Sequence, residues 1–187
     1  PAPMTVTRKR INSRPAAVLI GFMGAGKSTV GRLVAELLGV DFVDADEQIV
    51  HAEGRSIPEI FTADGVEAFR DIERRVVLDL LTRGGVVSLG GGAGMTPAVA
   101  VALAGHRVVS LSIDPAEGFA RAKGGDRPLL AGDDAETRYR ELLDERHDTY
   151  AELATVTVDA GAGSADEIAD LVVSALADHL IPERNLL

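Results

Sequence analysis

Short apolar runs alternate along the chain with stretches in which apolar residues recur every three or four positions. Residues 18–20, 86–89 and 108–113 are apolar at nearly every position, as strands of a buried parallel sheet are. Weaker runs at 41–46 and 154–158 bring the expected strands to five. The intervening stretches have helical periodicity. Val30, Leu33, Val34, Leu37 and Leu38 form one stripe of a helix over 28–38, which Gly39 stops. Two short helical segments are expected near 47–51 and 58–62. Gly65 opens a longer helix to about residue 82, with Val66, Phe69, Ile72, Glu73, Val76 and Leu80 on one side. Thr96-Pro97 predicts an N-cap with proline at the first helical position, and Gly105 ends that helix. Asp114-Pro115-Ala116-Glu117 caps another. Further helices are expected over 135–150 and from the capping box Ser164-Ala165-Asp166-Glu167 onward. This alternation predicts a three-layer α/β/α fold around a five-stranded parallel sheet. Ligands of such sheets sit at the carboxyl ends of the strands.

The carboxyl end of the first strand carries the clearest chemistry. Gly21-Phe22-Met23-Gly24-Ala25-Gly26-Lys27-Ser28 has the form G-x-x-x-x-G-K-[ST], between a strand and a helix. Glycines let the backbone curl until successive N–H groups face phosphate oxygens, and the helix N-terminus adds partial positive charge. Gly24, Ala25, Gly26, Lys27, Ser28 and Thr29 are therefore the candidate ATP-binding residues. Lys27 brings a full charge to the outer phosphates, and the Ser28 hydroxyl can ligate Mg²⁺.

Composition narrows the partners. The chain has 187 residues, no cysteine and a net charge of −10. Disulfides and thiolate chemistry are excluded, and a general nucleic-acid surface is disfavoured. A small anionic ligand requires local convergence of a few arginines. No apolar stretch reaches the length of a membrane span and no secretory h-region is visible, so a cytoplasmic location is expected. Residues 1–14, with Arg8, Lys9, Arg10 and Arg14, read as a disordered leader, 15–181 as a single domain and 182–187 as a tail. Residues at about 122–133 have little helix or strand character and are the expected mobile lid.

Four further features lie at strand ends or on apolar faces. Asp44 and Asp46 share an x-D-x-D spacing. In an extended segment both carboxylates face one site, where one can hold Mg²⁺ and the other accept a proton from an attacking hydroxyl. A solvated loop or a helix cap at Asp46 is the competing reading. Asp114 is a rival metal ligand, although its neighbours favour capping. Gly90-Gly91-Gly92 comes straight off a strand, which suggests close approach of backbone to a ligand. Arg70 precedes Glu73 by three positions on a helix, within ion-pair reach. Arg146 shares an apolar stripe with Tyr139, Leu142, Leu143 and Tyr150. A guanidinium there needs an anion: an internal salt-bridge partner or a substrate carboxylate. Arg127, in the expected lid, can swing over a transferring phosphoryl group.

Taken together these segments resemble the shikimate kinases. The matching stretches are Gly21 to Ser28, Phe42-Val43-Asp44-Ala45-Asp46, Phe69-Arg70-Asp71-Ile72-Glu73, Leu89-Gly90-Gly91-Gly92, Arg127-Pro128-Leu129-Leu130, and Arg146 with Tyr150. The resemblance implies a P-loop, nucleoside-monophosphate-kinase-like fold with a lid, in an enzyme that uses ATP and Mg²⁺; a monomer is expected. It implies phosphoryl transfer to the 3-hydroxyl of shikimate, without nucleic-acid or membrane partners. It assigns Asp46 to the substrate hydroxyls and to the base role. Arg70 and Arg146 would bind the shikimate carboxylate, with backbone help from Gly90, Gly91 and Gly92. Lys27 and Arg127 would stabilise phosphate charge, and Ser28 and Asp44 would serve Mg²⁺. Two departures stand out: Val66 where the family usually has Glu, and residues 159–163, which lack the Arg and Pro often found near the adenine. Arg121 is a candidate for stacking there. A gluconate-kinase-like enzyme and a nucleotide-binding module without catalysis are the alternatives.

Overall fold

The computed structural model describes residues 14–124, 130 and 132–179. Its strands are β1 (Ala17–Gly21), β2 (Phe42–Asp44), β3 (Val86–Ser88), β4 (Val108–Ser112) and β5 (Val156–Asp159). They form one parallel sheet in the order β2-β3-β1-β4-β5. The helices are α1 (Lys27–Leu38), α2 (Ala45–Glu53), α3 (Ile57–Leu80), α4 (Pro97–Leu103), α5 (Pro115–Ala122), α6 (Ala135–Leu153) and α7 (Ala165–Asp178).

The pleat of β1 explains the layers. Val18 and Ile20 point into a core shared with Val77, Leu80, Leu103, Leu142 and Tyr150 of α3, α4 and α6. Ala17 and Leu19 point the other way, into a core with Val30 and Val34 of α1 and with Ile168, Val172 and Leu176 of α7. Successive strand residues are thus buried on opposite faces, which is why the strands read as continuous apolar runs. Each Val, Leu or Ile side chain among them contributes about 1.5–3 kcal/mol on burial. A third, smaller core of Ile49, Ile60, Phe69 and Ile72 belongs to α2 and α3 alone.

The strand order positions the site. Register pairs Leu19 of β1 with Ser88 of β3, and Ser88 with Asp44 of β2. The loops after β1, β2 and β3 therefore leave the sheet side by side at its carboxyl edge.

Several sequence expectations need revision. β2 ends at Asp44, and Asp46 lies in the first turn of α2. The pair is therefore not held by a shared strand pleat, and Asp44, not Asp46, caps the helix. Its Oδ1 accepts from the Asp46 N–H at 2.9 Å and the Glu47 N–H at 3.3 Å. Helix α2 already spans nine residues, because the β2 strand stops early. Gly65 breaks α3 with φ 86° and ψ 174°, a conformation open to glycine but costly for other residues, so the expected start at Gly65 corresponds to a real discontinuity. Val66, expected on the inner face, is 51% exposed, because that break turns it outward. Thr96 occupies the N-cap position of α4 without a side-chain capping bond. Asp114 does cap α5, through the Ala116 and Glu117 N–H groups, which answers the metal alternative for that residue. Among the described residues no helix is long and apolar enough to cross a membrane.

Candidate active site

A cleft of about 590 Å³ opens at the carboxyl edge of the sheet. One side of it is the turn after β1. Gly24 and Gly26 adopt φ 84° each, and Gly26 is the left-handed N-cap of α1. A Cβ on Gly24 would lie 3.0 Å from the Gly118 carbonyl carbon and nearer still to its oxygen, so the loop leaves no room for a side chain there. Gly24, Ala25, Gly26, Lys27, Ser28 and Thr29 all line the cleft. Lys27 Nζ donates to the Phe22 carbonyl at 3.1 Å. The Ser28 hydroxyl donates to Asp44 Oδ2, so one Asp44 oxygen faces the loop while the other caps α2.

The opposite wall is built on the glycine triplet. None of the three has a positive φ; at Gly90 and Gly92 the requirement is space rather than backbone conformation, while Gly91 has room for a Cβ at ordinary contact distance. A Cβ on Gly90 would stand 2.7 Å from Asp46 Oδ1 and 3.0 Å from Glu73 Oε1. One on Gly92 would stand 2.6 Å from Arg70 Cζ. One on Gly91 would touch Arg146 Nη1 and the Tyr150 hydroxyl at 3.6 Å each. The triplet is a floor on which two carboxylates, two guanidinium groups and a phenol rest. A 3₁₀ turn, Ala93–Met95, follows it. Asp44, Asp46, Gly90 and Gly91 line the cleft itself; Arg70, Gly92 and Arg146 stand just beyond its lining.

Electrostatics around this floor are tightly linked. Arg70 Nη1 donates to Glu73 Oε2 at 2.6 Å, as the i,i+3 spacing predicts. Glu73 is 1% exposed, and burial holds its carboxyl above the usual glutamate range, opposed by the Arg70 guanidinium. Tyr150 donates its hydroxyl to the Gly91 carbonyl, and burial pushes its pKa up to about 12, so it stays a neutral donor. Arg146 is 8% exposed and lies with Cζ 5.4 Å from the Phe22 ring centroid. It hydrogen-bonds Tyr150, but among the described residues no carboxylate pairs with it at ion-pair distance, unlike Arg70.

The raised carboxyl of Glu73 has a measurable sign. The folded chain keeps this proton more readily than the unfolded one, so the group's contribution to stability falls as pH rises from the ordinary value of 4.5 through the folded value. Wild type is expected to lose stability relative to Glu73→Gln across that interval. Denaturant unfolding of both proteins at a series of pH values measures it; a pH-independent difference contradicts the assignment.

The structure thus gathers Lys27, Ser28, Asp44, Asp46, Arg70, Gly90, Gly91, Gly92 and Arg146 at one edge. Arg127 and residues 125–129 and 131 of the expected lid lie outside the described residues, as do 1–13 and 182–187. The far end of the cleft is lined by Arg121, Ala160, Gly163 and Ser164, and Arg121 pairs with Glu117. Sequence reasoning missed two residues. Ser88, 1% exposed, lines the cleft beneath the triplet, and its position as the last residue of β3 was the available signal. Phe22 supports Arg146, and no local pattern announces that contact.

A parallel sheet whose first strand runs into this loop, facing paired acids across a glycine floor, defines a P-loop kinase. The family model described as shikimate kinase matches residues 23–177. The shikimate kinase of Mycobacterium avium is 49% identical over 164 residues, covering 87% of this chain and 93% of that protein. The shikimate kinase of Thermobifida fusca is 47% identical over 169 residues, covering 89% of this chain and 97% of that protein. Among solved structures, the shikimate kinase of Acinetobacter baumannii in complex with shikimate superposes with a TM-score of 0.86 at 34% identity, covering 91% of this chain and 96% of that one. The chain belongs to the shikimate kinase family. A gluconokinase from Sinorhizobium meliloti, at TM-score 0.59 and 21% identity, shares the fold alone.

Proposed function

We propose that this chain transfers the γ-phosphoryl group of ATP to the 3-hydroxyl of shikimate, giving shikimate 3-phosphate and ADP. The observation that carries the reading is the floor: Asp46 rests on Gly90, Arg146 on Gly91 and Arg70 on Gly92, all beside the phosphate loop. One carboxylate for a hydroxyl and two guanidinium groups for a carboxylate suit a hydroxylated acid. Family membership and the likeness to a shikimate-bound relative support the same acceptor.

In this reading the loop N–H groups, Lys27 and Arg127 bind the phosphates and neutralise charge on the transferring group. Arg70, steadied by Glu73, and Arg146, steadied by Tyr150, clamp the acceptor carboxylate. That clamp orients the 3-hydroxyl toward Asp46. Asp46 accepts the hydroxyl proton as the new O–P bond forms and the bond to the β,γ-bridging oxygen breaks. Ser28 Oγ and Asp44 Oδ2 already meet beside the loop, and two hard oxygen donors there fit Mg²⁺, which binds through few protein ligands plus phosphate and water. When bound, the ion neutralises phosphate charge. A cytoplasmic monomer, with the 15–181 segment as one domain under a lid at 122–133, completes the proposal.

ADP release with shikimate, with gluconate and with no acceptor tests it. Turnover is expected with shikimate far above the other two. Absence of shikimate-dependent turnover overturns the reading, and equal turnover with gluconate reassigns the acceptor. A nucleotide-binding module without catalysis would give the acceptor-free rate throughout.

A further inference from the structure

Phe22 sits inside the phosphate loop, yet its ring is 1% exposed and belongs to the main core. Three contacts converge on it. Lys27 Nζ donates to its carbonyl at 3.1 Å. The Arg146 guanidinium lies over its ring, Cζ 5.4 Å from the centroid. The Tyr139 ring meets it edge-on at 4.8 Å and 62°, and the Tyr139 hydroxyl donates to the neighbouring Met23 carbonyl at 2.7 Å. Its backbone thus belongs to the phosphate side, and its ring carries a group of the acceptor side.

The ring matters because of what surrounds Arg146. A guanidinium binds a carboxylate bidentately only when its plane is correctly set. Arg70 has Glu73 to set its plane through a charged bond. Arg146 has instead the Tyr150 phenol at one edge, the Gly91 floor, and the π face of Phe22. A ring face attracts the cation without occupying its N–H donors, so the fork stays available to a ligand.

We propose that Phe22 is a positioning residue for acceptor binding: its ring fixes the plane of the Arg146 guanidinium and ties that plane to the phosphate loop. The inference rests on the reading of Arg146 as a carboxylate clamp. It predicts an aromatic requirement in a loop position that phosphate binding leaves unconstrained.

The test uses the full chain and steady-state kinetics with both substrates. Phe22→Leu and Phe22→Met keep an apolar core residue and remove the π face; Phe22→Tyr restores it. Loss of the face is expected to raise the KM for shikimate by about threefold to thirtyfold. The KM for ATP should stay within about twofold, and Phe22→Tyr should recover shikimate binding. Made in an Arg146→Ala background, Phe22→Leu should add no further rise. Equal rises for both substrates, or the same rise with and without Arg146, mark Phe22 as packing and overturn the inference. Should Phe22→Leu fail to fold, Phe22→Met carries the comparison. An Arg146→Ala variant with unchanged shikimate KM overturns the clamp reading and this inference with it. No shikimate turnover by wild type overturns the functional reading itself.

Discussion

Asp46→Asn is expected to lower kcat for shikimate phosphorylation by about 10²- to 10⁴-fold, the range for removing a positioned general base. That corresponds to about 2.7–5.5 kcal/mol of lost transition-state stabilisation. Asparagine keeps the size of the side chain over Gly90, where Asp46 Oδ1 makes the closest approach, so the floor stays intact. It also keeps the backbone N–H that Asp44 Oδ1 accepts, so the start of α2 is undisturbed. The loss therefore falls on proton transfer, while nucleotide affinity, which the proposed reading assigns to Gly24 to Thr29, should be nearly unchanged. Single-turnover rates with a separate nucleotide titration distinguish the two. Surviving turnover would show that the hydroxyl needs no base here, and that Asp46 only orients it.

The second large effect is expected at Arg146→Ala. Truncating one partner of a buried, hydrogen-bonded charge pair costs about 2–5 kcal/mol. Shikimate affinity should fall by about 30- to 5,000-fold. Two consequences compete. The mutation removes an expensive buried cation, which favours folding. It also removes a positive neighbour that holds the Glu73 proton affinity down, which pushes that carboxyl further up. Glu73 retains Arg70 at 2.6 Å, so the second effect is moderated and the binding loss dominates. Calorimetric titration with shikimate and with ATP checks this: a large loss for the acid and little for the nucleotide is expected. Unchanged affinity for shikimate would make Arg146 a purely structural cation.

How much of this was legible in the sequence differs from residue to residue. The phosphate loop was legible because its chemistry is local: one turn, fixed spacing, a strand before and a helix after. The sheet was legible because parallel strands are buried on both faces, as Val18 to Ile20 are. Arg70 with Glu73 was legible through helical spacing, and Arg146 through its place on an apolar stripe with Tyr139 and Tyr150. The Asp44 and Asp46 pair was found for a reason the structure corrects. Their carboxylates reach the same cleft because a strand ends and a helix begins between them, not because a strand pleat aligns them. A boundary of that kind depends on the capping bonds of Asp44, which periodicity does not reveal. Phe22 over Arg146 was not legible at all. The two residues are far apart in sequence, and the contact exists only once α6 packs across the end of β1.

The glycine floor has a consequence for how such an enzyme can change. Backbone has no rotamers, so in the proposed reading the depth of the acceptor site is fixed by main chain at Gly90, Gly91 and Gly92. A methyl group at Gly90 would displace a carboxylate, and one at Gly92 a guanidinium. Fitting a larger or smaller acid therefore has to be achieved through the side chains that rest on the floor. Asp46, Arg70 and Arg146 are the adjustable parts, and the three glycines are the fixed datum against which they are set.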